Sequence, residues 1–172
     1  MERAALDVSP PYVVSPADSM ARIKVLLEPF PADRAAEFGA VFAEMTPWSD
    51  YGYSPERLAA YFAGGKSGAV PMLVTADGSA AGIAGIRSQW LRGPFLQFLG
   101  ILPEFQGRGI GRAVLSWWER QALAAGDRNL WVTVSEFNAR ARTFYGRYGF
   151  VETANLPGLI DERCEILLRK RL

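Results

Sequence analysis

The spacing of hydrophobic residues along the chain predicts a series of short strands and helices. A spacing of i, i+3, i+4 and i+7 predicts a first helix, whose apolar face is Phe38, Val41, Phe42 and Met45. A second helix is predicted after Ser54-Pro55, because serine caps helix N-termini and proline fits the first helical position. Two more helices are predicted, one from residue 110 to a stop at Gly126 and one over residues 138–148.

Runs of β-prone residues separate these helices. The predicted strands cover residues 22–27, 70–75, 80–86, 95–102, 130–134, 150–153 and 164–168. Asp77-Gly78 is a strong hairpin signal between two of them, and residues 130–134 form the almost unbroken run that is typical of a buried strand. Because no repeat or low-complexity tract interrupts this order, the pattern predicts one mixed α/β domain over residues 22–172.

Residues 1–21 differ from the rest of the chain. They contain two Ser-Pro pairs and Pro10-Pro11, and their hydrophobic residues follow no sustained period. We therefore predict a flexible or loosely attached N-terminal lead-in before the domain.

Composition narrows the class of protein. A chain of 172 residues that is 49% hydrophobic can bury a sizeable core without disulfides or metals. Its single cysteine, Cys164, excludes a disulfide framework and is typical of the reducing cytoplasm. With 19 basic and 18 acidic residues, the chain gives no electrostatic reason to expect nucleic acid or an anionic membrane as a partner. We expect a soluble cytoplasmic protein, and monomer and homodimer both stay open.

The chain contains no histidine. This excludes Ser-His-Asp and Cys-His nucleophilic systems and the zinc sites that are built on imidazole. We expect no metal, and any catalysis must proceed without an imidazole base.

A glycine-rich segment carries the strongest chemical signal. Residues 106–111 read Gln-Gly-Arg-Gly-Ile-Gly and stand between an apolar run that ends in Leu102-Pro103 and the helix predicted from residue 110. Glycines let the backbone turn tightly, and the free N–H groups at a helix start attract anions. The segment therefore predicts a site for a cofactor that carries a pyrophosphate.

The two commonest phosphate-binding glycine loops do not fit. A Walker loop needs a lysine after its last glycine, and no lysine lies between Lys66 and Lys170. A dinucleotide fingerprint that starts at Gly107 would need a third glycine where Arg112 stands. What remains is Gln-x-x-Gly-x-Gly after Ile101-Leu102-Pro103, which resembles the acyl-CoA loop of the GCN5-related N-acetyltransferase (GNAT) family.

A second segment supports the same resemblance. The stretch from Asn138 to Phe150 contains an asparagine, an alanine three residues later, then Phe-Tyr and Gly-Phe, and it is similar to the other signature of the GNAT family. The two segments occur in the family's order, and the resemblance covers residues 70–150 well. It implies a mixed, mostly antiparallel central sheet flanked by helices in a single domain, and transfer of an acetyl group from acetyl-CoA to an amine.

The resemblance also implies which residues hold acetyl-CoA. In this family the pyrophosphate lies on the glycine loop, and a bulge in the preceding strand frees backbone groups for the pantetheine arm and the thioester oxygen. We expect Gly100 at that bulge and the Ile101 N–H as the oxyanion donor. The residues expected to contact acetyl-CoA are Ile101, Leu102, Gln106, Gly107, Arg108, Gly109, Ile110, Gly111, Arg112 and Asn138.

Tyr145 matches the general acid of the family. A tyrosine pKa of about 10 lies roughly 1.5 units above that of a thiol, so protonation of the leaving thiolate is uphill by only about 2 kcal/mol. Ala141, Phe144 and Tyr148 share its helix face, however, and a core tyrosine would fit there equally well. Asn138 also has two interpretations, because a role as helix N-cap explains this residue without any cofactor.

The residue that deprotonates the amine is harder to predict. An alkyl amine with a pKa near 10.4 is neutral in only about one part in 10³ at pH 7, so a carboxylate or a water relay would help. The ribosomal-protein alanine acetyltransferases, a subgroup with a similar Pro-Trp-Ser segment, carry a glutamate twelve residues before the tyrosine, where this chain has Thr133. Glu136 is the candidate base here, and a solvated loop carboxylate is the competing interpretation.

The acceptor side is predicted from an aromatic loop. Trp48, Tyr51 and Tyr53 could wall a site for a small amine with some apolar bulk, or they could simply cover the sheet. The leading hypothesis is an N-acetyltransferase in which a primary amine of a small molecule, protein or peptide attacks acetyl-CoA directly in a ternary complex. A catalytically silent module that binds or senses acyl-CoA is the alternative, and a nucleotide-binding domain is the remote one.

Overall fold

An eight-stranded sheet forms the centre of the fold. The structure is a computed structural model that describes residues 12–14, 23–64 and 68–172. Its strands are β1 (Tyr12–Val14), β2 (Val25–Pro29), β3 (Val70–Ala76), β4 (Ser79–Trp90), β5 (Gly93–Ile101), β6 (Asn129–Ser135), β7 (Val151–Ile160) and β8 (Arg163–Arg171). They lie in the order β1-β2-β3-β4-β5-β6-β8-β7, and only the β5–β6 pair is parallel. The predicted mixed, mostly antiparallel sheet is confirmed.

In the described part of the chain, four α-helices cover the two faces of the sheet. They are α1 (Ala35–Ala43), α2 (Pro55–Phe62), α3 (Ile110–Ala124) and α4 (Ala139–Arg147). Helices α1 and α2 pack with Leu73 on one face, while α3 and the Tyr145 side chain of α4 pack with Met72 and Val74 on the other. Because neighbouring residues of a strand point to opposite faces, a single strand such as β3 contributes to both hydrophobic cores. The single mixed α/β domain with flanking helices follows the prediction.

The first two helices show where the hydrophobic pattern succeeds and where it fails. Ser54 caps α2 as predicted, and its Oγ accepts a hydrogen bond from the Arg57 N–H at 3.2 Å. The predicted face of α1 is wrong at Val41, which is 41% exposed. The buried side of α1 passes instead through Gly39, where an added Cβ would lie 2.4 Å from the carbonyl oxygen of Pro55 in α2. Close helix contact, rather than side-chain hydrophobicity, therefore sets this face.

The N-terminal segment contains one strand that the hydrophobic pattern does not predict. Tyr12–Val14 forms β1 and pairs antiparallel with β2, with Tyr12 opposite Leu27 and Val14 opposite Val25. The other residues of the predicted lead-in lie outside the described part of the chain. Its boundary at residue 21 stays a prediction.

Strands β5 and β6 separate soon after they pair. Their parallel register consists of Phe95 opposite Trp131 and Leu96 opposite Val132. Beyond these pairs β5 follows β4 and β6 follows β8, so an open angle forms between residues 97–101 and residues 133–135. We call this angle the fork. Because the two strands are parallel, α3 and α4, which follow them in the chain, both begin at the open end of the fork. Among the described residues, no helix is long and apolar enough to cross a bilayer.

Candidate active site

A cavity of 1380 Å³ opens at the fork. Its walls come from the fork, the glycine loop, the first turns of α3 and α4, the loop at residues 45–53 and the hairpin between β7 and β8. The predicted site residues that line it are Trp48, Tyr51, Tyr53, Ile101, Gln106, Gly107, Gly109, Ile110, Gly111, Arg112, Asn138 and Tyr145. Leu102, Arg108 and Glu136, which were also predicted, are not part of this lining. The structure thus gathers most of the predicted site in one place.

The glycine loop presents bare backbone to the cavity. Gly107 and Gly109 have φ angles of 75° and 80°, in the left-handed region that favours glycine, and nothing lies within 4 Å of a Cβ built on either residue. The Gln106 side chain fixes the loop, since its Nε2 donates a 2.8 Å hydrogen bond to the carbonyl oxygen of Ile101 at the end of β5. The loop is therefore anchored at one side and open at the other.

The start of α3 is suited to an anion. Asn138 and Ser54 cap α4 and α2 with their side chains, whereas Gly109, the N-cap of α3, offers no side chain for this purpose. The first N–H groups of α3 have no partner within the helix. The first turn also carries Arg112, a charge that the positive end of the helix dipole disfavours unless an anion lies nearby. Both features favour a bound phosphate group.

The backbone of β5 provides further donors. The N–H of Leu102, the residue after β5, donates to the carbonyl of Ala81 in β4 at 2.9 Å, so it points toward β4. Since alternate residues of a strand direct their N–H groups to opposite sides, those of Leu99 and Ile101 point away from β4 and into the fork. Ile101 is therefore oriented as the predicted oxyanion donor requires.

The bulge of β5 does not lie where it was predicted. Gly85 pairs with Phe98 while the next residue of β4 pairs with Leu96, so Gln97 is the extra residue. Gly100 is regularly paired, and the expectation that it forms the bulge is wrong. An added Cβ on Gly100 would lie 2.3 Å from Phe42, so this glycine makes room for aromatic packing.

Tyr145 lies both in the hydrophobic core and at the cavity wall, the two positions between which the sequence did not decide. It is only 6% exposed and belongs to the same hydrophobic core as α3, with its ring 5.1 Å from that of Phe144 and 5.5 Å from that of Phe150. It also lines the cavity. Burial raises the pKa of Tyr145 above its usual value, so the hydroxyl stays protonated at neutral pH. The same burial makes loss of the proton harder than in an exposed tyrosine.

Asn138 is an N-cap, as one of its two interpretations predicts. Its Oδ1 accepts a 3.0 Å hydrogen bond from the Ala141 N–H and so closes the first turn of α4. It lies at the cavity wall as well. Capping accounts for the residue, and contact with a cofactor remains compatible with its position.

The aromatic loop both covers the sheet and lines the cavity. The Trp48 ring stacks on Phe98 of β5, with centroids 4.3 Å apart and an interplanar angle of 16°. Tyr51 and Tyr53 stack on each other at 5.3 Å. The covering role is clearest for Trp48, because its ring also packs edge-on against Phe42 of α1 at 5.0 Å.

Two cavity residues, Glu165 and Ser135, escaped the sequence analysis. They lie opposite each other on β8 and β6, and the Tyr51 hydroxyl forms short hydrogen bonds with both side chains. Glu165 is 3% exposed, and burial raises the pKa of its carboxyl group. The position of Glu165 within the predicted strand at residues 164–168, next to the apolar run Ile166 to Leu168, was the signal that could have identified it.

Glu136, the predicted base, is placed less favourably. Its side chain is exposed, and its contacts are made by the backbone, where the N–H donates to the carbonyl of Cys164 and the carbonyl accepts from Arg142. Thr133, which stands where the alanine acetyltransferases carry their glutamate, does line the cavity. The structure therefore does not bring the Glu136 carboxylate together with Tyr145.

Comparison with known proteins decides the family. A model of the acetyltransferase (GNAT) family matches residues 33–150, more than half of the chain. The chain belongs to the GNAT acetyltransferase family. The sequence resemblance is thereby confirmed, and the protein is an acetyltransferase of this family.

Individual relatives share part of the sequence of this GNAT acetyltransferase or its fold. Streptothricin acetyltransferase from Streptomyces lavendulae is 35% identical over 78 residues, which are 45% of this chain and 41% of that protein. The match thus spans less than half the length of this relative. Ribosomal-protein-S18-alanine N-acetyltransferase from Escherichia coli has the same fold, with a TM-score of 0.62 and 20% identity over 86% of this chain and 93% of its own.

A further solved structure contains the expected acetyl donor. A proposed streptothricin acetyltransferase from Bacillus anthracis was solved in complex with acetyl coenzyme A. It matches 62% of this chain and 64% of its own, with a TM-score of 0.55 and 14% identity. At this identity the likeness concerns the fold.

Proposed function

We propose that this GNAT acetyltransferase moves an acetyl group from acetyl-CoA to a primary amine of a small molecule, protein or peptide by direct attack in a ternary complex. The observation that carries the proposal is the cavity itself, which runs from the uncapped start of α3 through the fork to the aromatic loop. One end suits a pyrophosphate and the other suits an organic acceptor. The acetyl coenzyme A in the Bacillus anthracis relative supports the choice of donor.

The residues present fit acetyl-CoA. The open backbone at Gly107 and Gly109 and the first N–H groups of α3 would hold the pyrophosphate, with Arg108 and Arg112 as additional positive charge. The backbone groups of β5 that face the fork would bind the pantetheine arm as an added strand does. The N–H of Ile101 would donate to the thioester oxygen, where negative charge develops as the amine attacks.

The reaction needs one proton removed and one proton supplied. The lone pair of the neutral amine forms the new C–N bond, the C–S bond breaks, and the sulfur leaves as a thiolate. The nitrogen loses its extra proton to a base, and Tyr145 donates its hydroxyl proton to the sulfur and is later reprotonated from solvent. The hydroxyl is protonated before the step, as an ordinary tyrosine is at neutral pH. Because burial raises its pKa, it gives up the proton only to a strong base such as the departing thiolate.

The base in this scheme is a water molecule in the cavity or the carboxylate of Glu136. The exposed position of Glu136, outside the cavity lining, favours the water. Thr133 and Ser135 have hydroxyl groups on the wall of the cavity and could position such a water. Glu136→Gln is then expected to leave kcat within a few-fold of the parent value, and a larger loss would restore Glu136 as the base.

Thermal unfolding with candidate donors tests the proposal first. At a hundred times its Kd, acetyl-CoA should add about 2.7 kcal/mol to the free energy of unfolding and raise the Tm, whereas ATP and NAD should not. Release of CoA thiol across a panel of amines, including streptothricin, then tests turnover. Stabilisation without thiol release would favour the silent acyl-CoA-binding module, and stabilisation by ATP or NAD alone would contradict the proposed donor.

A further inference from the structure

Glu165 is a buried carboxylate that the proposed reaction does not use. It is 3% exposed, it lines the cavity, and its hydrogen-bond partners are the hydroxyl groups of Tyr51 and Ser135. A carboxylate in such a place is costly unless a positive charge compensates it. Within residues 23–64 and 68–172, no salt bridge involves Glu165.

The charged groups around Glu165 do not compensate a negative charge on it. Glu136 raises the pKa of Glu165 further, and Asp161 acts on the neighbouring Tyr53 in the same direction. Arg57 and Arg163 lie over the Tyr53 and Tyr51 rings, at 4.1 and 5.8 Å from the ring centroids, and neither forms a salt bridge with Glu165. The cavity end at Glu165 therefore favours binding of a cation that comes from outside the chain.

The position of Glu165 separates it from the reacting centre. The thioester is expected in the fork between β5 and β6, and Glu165 lies on β8, on the far side of β6 and opposite Ser135. Neighbouring strands are about 4.8 Å apart. A group that contacts Glu165 is then roughly one to two strand spacings from the nitrogen that attacks the thioester. Glu165 is thus placed to bind another part of the acceptor.

The walls beside Glu165 suit an organic cation with a short apolar spacer. The stacked rings of Tyr51 and Tyr53 line the path, and the Phe137 ring packs against Tyr51 at 5.6 Å. Aromatic faces attract cations and cover methylene groups at the same time. Leu159 and Ile160, from the end of β7, add apolar surface to this part of the cavity.

We propose that Glu165, held by Tyr51 and Ser135, binds a second positive charge of the acceptor, so that the preferred acceptors are diamines or larger polycationic amines. The second charge would lie about 5–10 Å from the nitrogen that is acetylated, as the strand spacing requires. The inference rests on the proposed acetyl transfer to an amine. In this inference Glu165 selects the acceptor, whereas the residues at the fork carry out the acetyl transfer.

A matched pair of acceptors tests the inference with the unmodified protein. 1,5-Diaminopentane and 1-aminopentane share the reacting amine and the apolar chain and differ in the second ammonium group. We expect kcat/KM to be at least about tenfold higher for the diamine, chiefly through a lower KM, which corresponds to about 1.4 kcal/mol. Equal kcat/KM values for the two amines would overturn the inference while leaving the acetyl transfer itself intact.

The Glu165→Gln variant attributes the preference to the carboxylate. Glutamine can keep hydrogen bonds to Tyr51 and Ser135 but carries no charge. The variant should lose the diamine preference, retain activity toward 1-aminopentane and keep the parent Kd for acetyl-CoA. Glu162→Gln, an identical change at an exposed residue before β8, should keep the preference. An equal loss of kcat for both amines would instead assign Glu165 to proton transfer and overturn the selection role.

Two further measurements keep the test decisive if Glu165→Gln folds poorly. Ser135→Ala removes a hydrogen bond from the carboxylate but leaves its charge, so the diamine preference should weaken without disappearing. A series from diaminoethane to diaminohexane should show the preference rise with spacer length toward the distance that the strands set. A preference that does not change along the series would contradict the geometry. Absence of thiol release with every amine would contradict the proposed function instead.

Discussion

The two ends of the cavity are built in different ways. The end at the glycine loop consists mainly of backbone from one continuous stretch, residues 99–112, in which the Gln106 side chain and the Ile101 carbonyl are five positions apart. The end at Glu165 consists of side chains from three separate regions, and Tyr51 bonds to Ser135 and Glu165 across 84 and 114 positions. We refer to them as the donor end and the acceptor end.

This difference explains how each end can change. A donor end made of backbone depends on glycine and on strand geometry, so few substitutions preserve it. An acceptor end made of side chains can alter its chemistry one residue at a time while the fold stays the same. A family with one acetyl donor and many acceptors would be expected to divide its site in this manner.

Tyr145 lies between the two ends, and its removal should have the largest effect. Tyr145→Phe is expected to lower kcat by about 10² or more, because the thiolate loses its proton donor, while the Kd of acetyl-CoA and the KM of the amine change little. Steady-state kinetics of thiol release and calorimetric titration with acetyl-CoA provide the two readouts. Tyr148→Phe, three residues along, is the matched change, since the Tyr148 hydroxyl donates to Glu119 at 2.8 Å. If both variants lose kcat equally, Tyr145 has no special role as the acid.

Substitution in the glycine loop should affect the donor end alone. Gly109→Ala places a methyl group on the open backbone and strains a residue with φ of 80°. We expect about tenfold weaker binding of acetyl-CoA and an unchanged KM for the amine. Gly126→Ala is the control, because its φ is 74°, nothing lies within 4 Å of its added Cβ, and it does not line the cavity. Equal losses of affinity in the two variants would mean that backbone strain, and not the site, causes them.

Tyr51→Phe should affect the acceptor end alone and more weakly. It removes the hydroxyl that holds Glu165 and keeps the ring that stacks on Tyr53. A loss of about 1 kcal/mol, or roughly fivefold in the KM for a diamine, is expected for one hydrogen bond to a carboxylate. The Kd for acetyl-CoA, measured by the same titration, should stay at the parent value. A change in that Kd would show that the two ends are coupled.

The pH dependence of the diamine preference should be the smallest effect. The pKa of Glu165 is raised by burial, so its negative charge is present above that raised pKa and is lost as the pH falls through it. The ratio of kcat/KM for the diamine to that for the monoamine should therefore decline as the pH falls, and it should do so at a higher pH than the pKa near 4.3 of an ordinary glutamate would give. In Glu165→Gln the ratio should not vary with pH.

The sequence predicted what is local. Helix starts at Ser54 and Asn138, the Asp77-Gly78 turn and the glycine loop are each encoded within a few residues, and all of them occur in the structure. The family resemblance supplied the sheet type and the place of Tyr145. Localisation and oligomeric state stay predictions.

What the sequence did not predict depends on pairing between distant segments. The bulge at Gln97 is defined by its register against β4, and the buried position of Glu165 depends on β6 and on the loop that carries Tyr51. The outward position of Val41 results from contact between α1 and α2. None of these can be deduced from periodicity within one element, because each depends on which partner packs there.

The fork also affects how fast the protein is degraded by proteases. Over the last residues of β5 and β6, main-chain groups that would otherwise bind a neighbouring strand are left for a ligand, so bound acetyl-CoA would complete the sheet. A ligand that binds only the folded chain lowers the fraction of unfolded molecules that proteases can degrade. With acetyl-CoA as the donor, the steady-state abundance of this enzyme should therefore rise and fall with the metabolic supply of its own substrate.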